Sequence, residues 1–295
     1  MKKRILGIFC AMLVCCAGTA VLAGCGGGTV EPTTSTEQNN STVVSQPDSQ
    51  TETSSLLPTT NDAAVSAVIT EVGDQLDKPA IGEEIAVIET TQGTIKMRLF
   101  PEQAPKAVAN FKQLAQDGIY NDMPFHRIID GFMIQTGETA STSIYGDWFE
   151  DEFSDKLLNI RGAVSMANIN QPNTNSTQFF INQTPADRFK GWDYFIEGYR
   201  YYMQHGELFT MNYGNWTDMS KIGEDVKALY EQNGGSPTLD GAYTTTGLGH
   251  TVFGQVFEGL EVVDKIAKAE TNANNRPTDE AAYRIKSITF VKYEG

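Results

Sequence analysis

A mainly β fold, a barrel or sandwich covered by helices and forming one domain of about 210 residues, is what this sequence predicts. Two observations carry it. From Glu83 to the C-terminus, short runs of apolar and β-branched residues recur between turn residues. Two stretches with a clear helical period accompany them, and they stand far apart in the sequence. There is no internal repeat.

The chain begins with a segment read as a leader. Met1-Lys2-Lys3-Arg4 is basic, Ile5 to Ala20 is apolar, and Leu22-Ala23-Gly24-Cys25 puts small residues before a cysteine. This is the layout of a secretory signal, too short and too poorly flanked for a lasting transmembrane helix. The Leu-Ala-Gly-Cys box resembles the lipobox of bacterial lipoproteins. That resemblance implies a signal peptide over residues 1–24, cleavage before Cys25, and a thiol carrying lipid; a plain signal with an incidental cysteine is the alternative. All four cysteines (Cys10, Cys15, Cys16 and Cys25) lie at or before the cut, so the folded domain is expected to have no disulfide, Cys-based metal site or thiol nucleophile. Two or three acyl chains attach firmly where one is marginal. Loss of Lys2, Lys3 and Arg4, with no acid, takes the formal net charge from −15 to −18. So acidic a surface argues against nucleic acid and against adhesion to anionic lipid. The expected place is outside the cytoplasm, held to a bacterial cell membrane by lipid alone.

Residues 25–62 follow as a linker of Thr, Ser, Gln, Asn, Glu and Pro with few large apolar groups. It cannot bury enough surface to offset ordering entropy, and as a coil it reaches on the order of 30 Å. Residues 63–82 form an extension, weakly helical up to Leu76 and stopped at Asp77-Lys78-Pro79. The domain proper occupies 83–295. Ile85–Thr90 and Thr94–Leu99 flank Thr91-Gln92-Gly93 and read as a hairpin. Pro101 to Asp117 has a helical period, with Ala107, Val108, Phe111, Leu114 and Ala115 on one face and Gly118 after it. Strands are expected at 125–129, 133–136, 163–167, 178–182, 252–256 and 285–292. A second helix is expected at 259–269, with Leu260, Val262, Val263, Ile266 and Ala267 apolar.

Chemistry concentrates in the run Phe125-His126-Arg127-Ile128-Ile129-Asp130-Gly131-Phe132-Met133-Ile134-Gln135. One Arg and one Gln among large apolar residues suit a greasy pocket with a single fixed cation; an ordinary strand with a buried Arg is equally open. Three more segments bear on the choice. They are Arg161-Gly162-Ala163-Val164-Ser165-Met166-Ala167-Asn168, Pro172 to Asn182 with Gln178-Phe179-Phe180, and Gly249-His250-Thr251-Val252-Phe253-Gly254-Gln255-Val256. With these four motifs in this order, the chain from about Glu83 onward resembles the cyclophilins, which are peptidyl-prolyl cis/trans isomerases.

The resemblance implies a closed eight-stranded antiparallel barrel capped by two helices, with the active site on its outer face and a partly helical insertion. It implies that Arg127 is the catalytic arginine. Gln135 and Asn168 match the partners of the substrate backbone. Phe132, Met133, Phe180 and Leu239 match the walls of the proline pocket. His250 matches the pocket-edge histidine, and Ala167 and Gln178 line the neighbouring groove. Proline-containing unfolded or secreted polypeptides are the implied partners, with no cofactor or metal and with a monomer expected. The chemistry agrees: rotation about X–Pro makes and breaks no bond to carbon, so neither nucleophile nor metal is required. Phe179 and Phe180 alternate in facing, so one belongs to the core. His126 is expected to be structural, His205 a solvated loop residue, and Glu150-Asp151-Glu152 surface acids without calcium spacing.

Besides its insertion the chain departs from the family in four places, one of them Ala242 to Gly249, which is longer than usual. Thr238-Leu239-Asp240-Gly241 has Thr where the family has Trp, a residue that matters for cyclosporin. Asp130 replaces a common proline, and the loop at Ile169-Asn170-Gln171 is one residue longer. The insertion covers about 186–236. Its part Tyr194–Tyr213 is rich in aromatics, and Trp216 to Gln232 reads as a helix with Met219, Ile222, Val226, Leu229 and Tyr230 on one side. It is either a subdomain packed on the barrel or a surface that widens contact with client chains. The leading function is an extracytoplasmic folding catalyst. A non-catalytic proline-binding chaperone is the second reading. A lipid-anchored solute-binding protein lacks the two-lobe length and the α/β alternation.

Overall fold

The computed structural model describes residues 69–295. The expected signal, Cys25, the linker and residues 63–68 of the extension lie outside the described residues. Strands β1 (Glu84–Thr90), β2 (Gly93–Leu99), β3 (Met123–Pro124), β4 (Arg127–Ile129), β5 (Met133–Thr136), β6 (Ala163–Met166), β7 (Phe179–Asn182), β8 (Val252–Glu258) and β9 (Arg284–Lys292) form one sheet. Its hydrogen-bonded order is β3-β9-β1-β2-β8-β6-β7-β5-β4, and its pairings are antiparallel.

The sheet curls into a nine-stranded half-barrel; the expected closed eight-stranded barrel is not what forms. The reason lies in residues 123–129, where the strand expected at 125–129 is strand only from Arg127 and a second short strand precedes it. Met123 and Pro124 pair with Ile285 and Arg284 of β9, whereas Arg127–Ile129 pair with β5. Pro124 has no N–H to give and sits on an edge, as proline must in a sheet. One segment therefore supplies both edge strands, β3 and β4, and no ladder joins them.

Alternation along the strands sorts the side chains. Ile128, Ile134, Val164, Met166, Phe179 and Ile181 are buried in the main core. Their neighbours Arg127, Met133, Gln135, Ser165 and Phe180 take the other face. Register then lines up Arg127, Gln135, Phe180 and Ser165 as direct partners across β4, β5, β7 and β6.

Two helices close over the core, as the periodicity predicts. In α1 (Pro105–Gln116), Phe111 meets Phe179, Phe253 and Phe290 with ring centroids 5.4, 5.3 and 6.0 Å apart. Burying such a ring contributes roughly 2–3 kcal/mol. The first turn of α1 is capped from afar: the Glu152 carboxylate accepts from Lys106 N–H at 3.0 Å and Ala107 N–H at 2.9 Å. These are N–H groups that no helix satisfies internally. Asp151 accepts from Asn173 N–H and Asn175 Nδ2, both at 2.8 Å, and Glu150 pairs with Lys106. The acidic triplet thus serves local structure. Of the residues expected in the second helix, α5 takes Leu260–Ala267.

Of the weak helix expected in the extension, the described residues keep one short 3-10 turn, Asp74–Leu76, ending at Leu76 as expected. Gly73 stands at φ +110 and the Asp74 carboxylate takes the Thr70 and Glu71 N–H groups, both at 2.9 Å. Gln75, fully buried, then bonds Leu158 O and Gln255 Oε1, each at 3.0 Å, which ties the extension to the barrel.

The insertion contains α2 (Trp192–His205), α3 (Glu207–Tyr213) and α4 (Glu224–Asn233). The helix expected from Trp216 begins only at Glu224, because Thr217 pairs with Thr244 as an isolated bridge and Gly223 is extended. Trp192, Phe195, Phe209, Trp216, Val226 and Tyr230 build a second core against Leu158 and Ile160. His205, expected in a loop, lies exposed in the last turn of α2. The insertion's ends are clasped: Ser236 N–H donates to Asn159 O at 2.9 Å, and the Thr184 and Ser236 hydroxyls lie 3.2 Å apart.

Candidate active site

The outer-face row begins at β4. The Arg127 guanidinium donates from Nη1 to Gln135 Oε1 at 3.2 Å, and Gln135 Nε2 donates to Gln178 Oε1 at 2.9 Å. Arginine can only donate, so Gln135 must turn its oxygen toward Arg127, and its NH2 is thereby aimed at Gln178. The turn between β4 and β5 fixes this register. Gly131 stands at φ +80 and Phe132 N–H returns to Ile129 O at 3.0 Å.

Met133 and Phe180 are nearly fully buried beside this row, while Arg127, Phe132 and Gln135 are half-buried. Phe180 meets the His250 ring edge to face, with centroids 5.1 Å apart and planes at 87°. Phe179 lies in the core instead. His250 Nδ1 is 2.9 Å from Met166 O, so Nδ1 carries the proton and Nε2 is the acceptor of the neutral ring. Burial holds its pKa below the ordinary imidazole value, and the Arg127 charge adds to this against the Met166 carbonyl and Asp151.

The remaining expected residues come from three loops. Ala167 N–H donates to Gln178 O at 2.9 Å. Asn168 Nδ2 donates to Gly249 O at 2.7 Å, which joins the wall after β6 to the one before β8. Leu239 O accepts from His250 N–H at 2.9 Å. A Cβ on Gly249 would lie 2.6 Å from Leu239 O and closer still to Gly241, so only glycine allows this approach. The structure thus gathers Arg127, Gln135, Gln178, Met133, Phe180, His250, Asn168 and the Leu239 main chain. His126 is not in this row; it is buried between β3 and β4, with Glu138, Arg276, Arg127 and Glu280 as its charged neighbours. Burial lowers its pKa, with Glu138 opposing.

Two positioning features escaped the reading of the sequence. Gln183 accepts from Gly131 N–H at 2.6 Å and donates to Asp264 Oδ1 at 2.8 Å, bracing the turn that carries Phe132. Asp240, fully inside, accepts from Asn159 N–H at 2.6 Å, from Asn159 Nδ2 at 2.9 Å and from the Tyr230 hydroxyl. Asn159 in turn accepts at 2.7 Å from Oγ of Ser165, the cross-strand partner of Phe180. The signal for Asp240 was visible in Thr-Leu-Asp-Gly, but nothing there names its partners.

The chain is similar to known peptidyl-prolyl cis-trans isomerases. The family model for cyclophilin type peptidyl-prolyl cis-trans isomerases matches residues 85–290. A Staphylococcus saprophyticus protein named as a peptidyl-prolyl cis-trans isomerase is 36% identical over 227 residues, covering 74% of this chain and 98% of its own. A Streptococcus pyogenes protein named as a bifunctional phosphatase/peptidyl-prolyl cis-trans isomerase is 40% identical over 200 residues, covering 65% of this chain and 36% of that longer protein. A solved Cryptosporidium parvum cyclophilin type isomerase is 26% identical, with a TM-score of 0.47 over 71% of this chain and 98% of its own. By the extent of the family match and of the Staphylococcus relative, this chain belongs to the cyclophilin family and is a peptidyl-prolyl cis-trans isomerase.

Proposed function

We propose that this isomerase is a lipid-anchored, extracytoplasmic catalyst of protein folding whose reaction is carried by the outer-face row at Arg127. The observation behind the site is the alignment of Arg127, Gln135 and Gln178 beside Met133, Phe180 and His250. Twisting an X–Pro amide removes C–N double-bond character against a barrier of roughly 20 kcal/mol. The nitrogen of the twisted amide gains a lone pair, which a planar amide lacks. A guanidinium aimed at that nitrogen binds the twisted form better than the planar one, which is what lowers a barrier. Gln135 keeps the guanidinium from swinging. Phe132, Met133 and Phe180 hold the proline ring and exclude water, which strengthens the interaction. The Asn168 side chain is occupied with Gly249 O, so a substrate strand meets its main chain. His250 stays neutral near pH 7 and adds no second charge beside Arg127.

The anchor rests on residues 1–25 and is tested there. Cys25→Ser is expected to abolish labelling by palmitate and to move the protein from the membrane to the soluble fraction. Wild-type protein recovered unlabelled from the cytoplasm would overturn it. The Thr at position 238 makes a separate prediction. Without an aromatic anchor there, cyclosporin is expected to inhibit roughly 30-fold or more less tightly than a tryptophan-bearing cyclophilin. A nanomolar inhibition constant in a proline-peptide assay counts against it.

A further inference from the structure

Exposed large apolar side chains are unevenly spread over the described residues. Five of the twelve (Tyr201, Met203, Leu208, Met211 and Tyr213) fall on α2 and α3 of the insertion. Met211 is 82% exposed, although the helices beneath it build a well-packed core. A concentration of this kind marks an interaction surface, and flexible methionine suits partners of varied sequence.

Met211, alone of these five, lines an open groove of about 360 Å³ together with Tyr202, Glu207, Thr210 and Thr246. Thr246 identifies the other bank. It belongs to residues 244–249, the segment that leads into His250. One side chain locks this bank to the proline pocket: Asn215 donates to Leu248 O at 2.6 Å and to Thr238 O at 3.2 Å, and accepts from Thr246 Oγ1 at 2.7 Å. Groove and pocket wall are thus one hydrogen-bonded piece. Thr246 and His250 are four positions apart, at most about 14 Å of chain.

We propose that this groove takes an apolar side chain of the same polypeptide whose proline lies at Arg127, about four to five residues along an extended chain. The proposal rests on the assignment of the pocket above, and continuity of the two sites names the occupant. The insertion then selects unfolded segments in which proline has an apolar neighbour at that distance.

The test compares full-length protein on a short proline peptide and on longer peptides that carry leucine or serine about five residues before or after proline. The expected result is a KM for one leucine peptide roughly three- to tenfold below that of its serine counterpart. Met211→Ser should erase that gain, Met211→Leu should restore it, and kcat and short-peptide turnover should not change. Met203→Ser, outside the groove lining, is the control and should keep the gain. Equal kinetics on leucine and serine peptides overturn the proposal, as does an equal effect of Met211→Ser on the short peptide. A sedimentation change with Met211→Ser, showing a second copy on this face, also overturns it. If wild-type protein fails to turn over even the short peptide, it is the pocket assignment that has failed.

Discussion

Arg127→Ala is expected to lower kcat/KM for a proline peptide by roughly 10²–10³-fold while leaving the fold intact. The magnitude follows from removing one preorganised donor that acts on the transition state. Most of the loss should appear in kcat, because the ring pocket of Phe132, Met133 and Phe180 remains. Arg127→Lys should recover only part. A lysine is a point charge on a flexible stem and cannot bond Gln135 and face the amide nitrogen with one rigid fork. A protease-coupled assay measures the rates, and circular dichroism checks the fold. Turnover within threefold of wild type would remove Arg127 from the mechanism. The same variant separates catalysis from mere proline binding: a holding chaperone would keep its suppression of aggregation and lose nothing else.

The largest stability effect is expected at Asp240. Burial pushes its carboxyl from 3.8 up to about 7, against the hydrogen bonds from Tyr230 and Asn159. The folded pKa lies above the unfolded one, so the folded state prefers the protonated acid. The stabilisation is complete below about pH 4 and is lost as pH rises through about 7, a span of up to about 4 kcal/mol. Asp240→Asn keeps the shape without the titration, and its NH2 can donate to Tyr230 in place of the bond it received. Urea midpoints of both proteins across this range are the measurement. The difference between variant and wild type should grow toward neutral pH in favour of the variant. Parallel profiles would show that Asp240 titrates alike in both states. Subtraction is needed because Asp74, Asp130, Glu138 and Asp218, with lowered pKa values, pull the other way at acid pH.

How far the sequence reached depended on the range of the cause. The hairpin at β1 and β2, helix α1 and helix α5 are written in local alternation and period, and they form at the expected stretches, α1 starting at Pro105 rather than Pro101. Gly131 and the spacing from Arg127 to Gln135 contain the β4–β5 register, because a tight turn leaves no other pairing. Trp216 to Gln232 shows the limit. Its apolar spacing is helical, yet Thr217 pairs with Thr244, and that contact outbids local propensity up to Gly223.

By itself, the sequence determined the family, the single guanidinium set among apolar residues, and the side of the strand each side chain takes. Those follow from order and from the two-residue period of a strand. Only the tertiary structure decided that one segment, bent at Phe125-His126, would supply both edges of an open sheet. It alone decided that Asn215 would bind the insertion to the pocket wall and that Asp240 would lie buried between Tyr230 and Asn159. Burial and long-range hydrogen bonds depend on which distant segments meet, and no local pattern encodes that meeting.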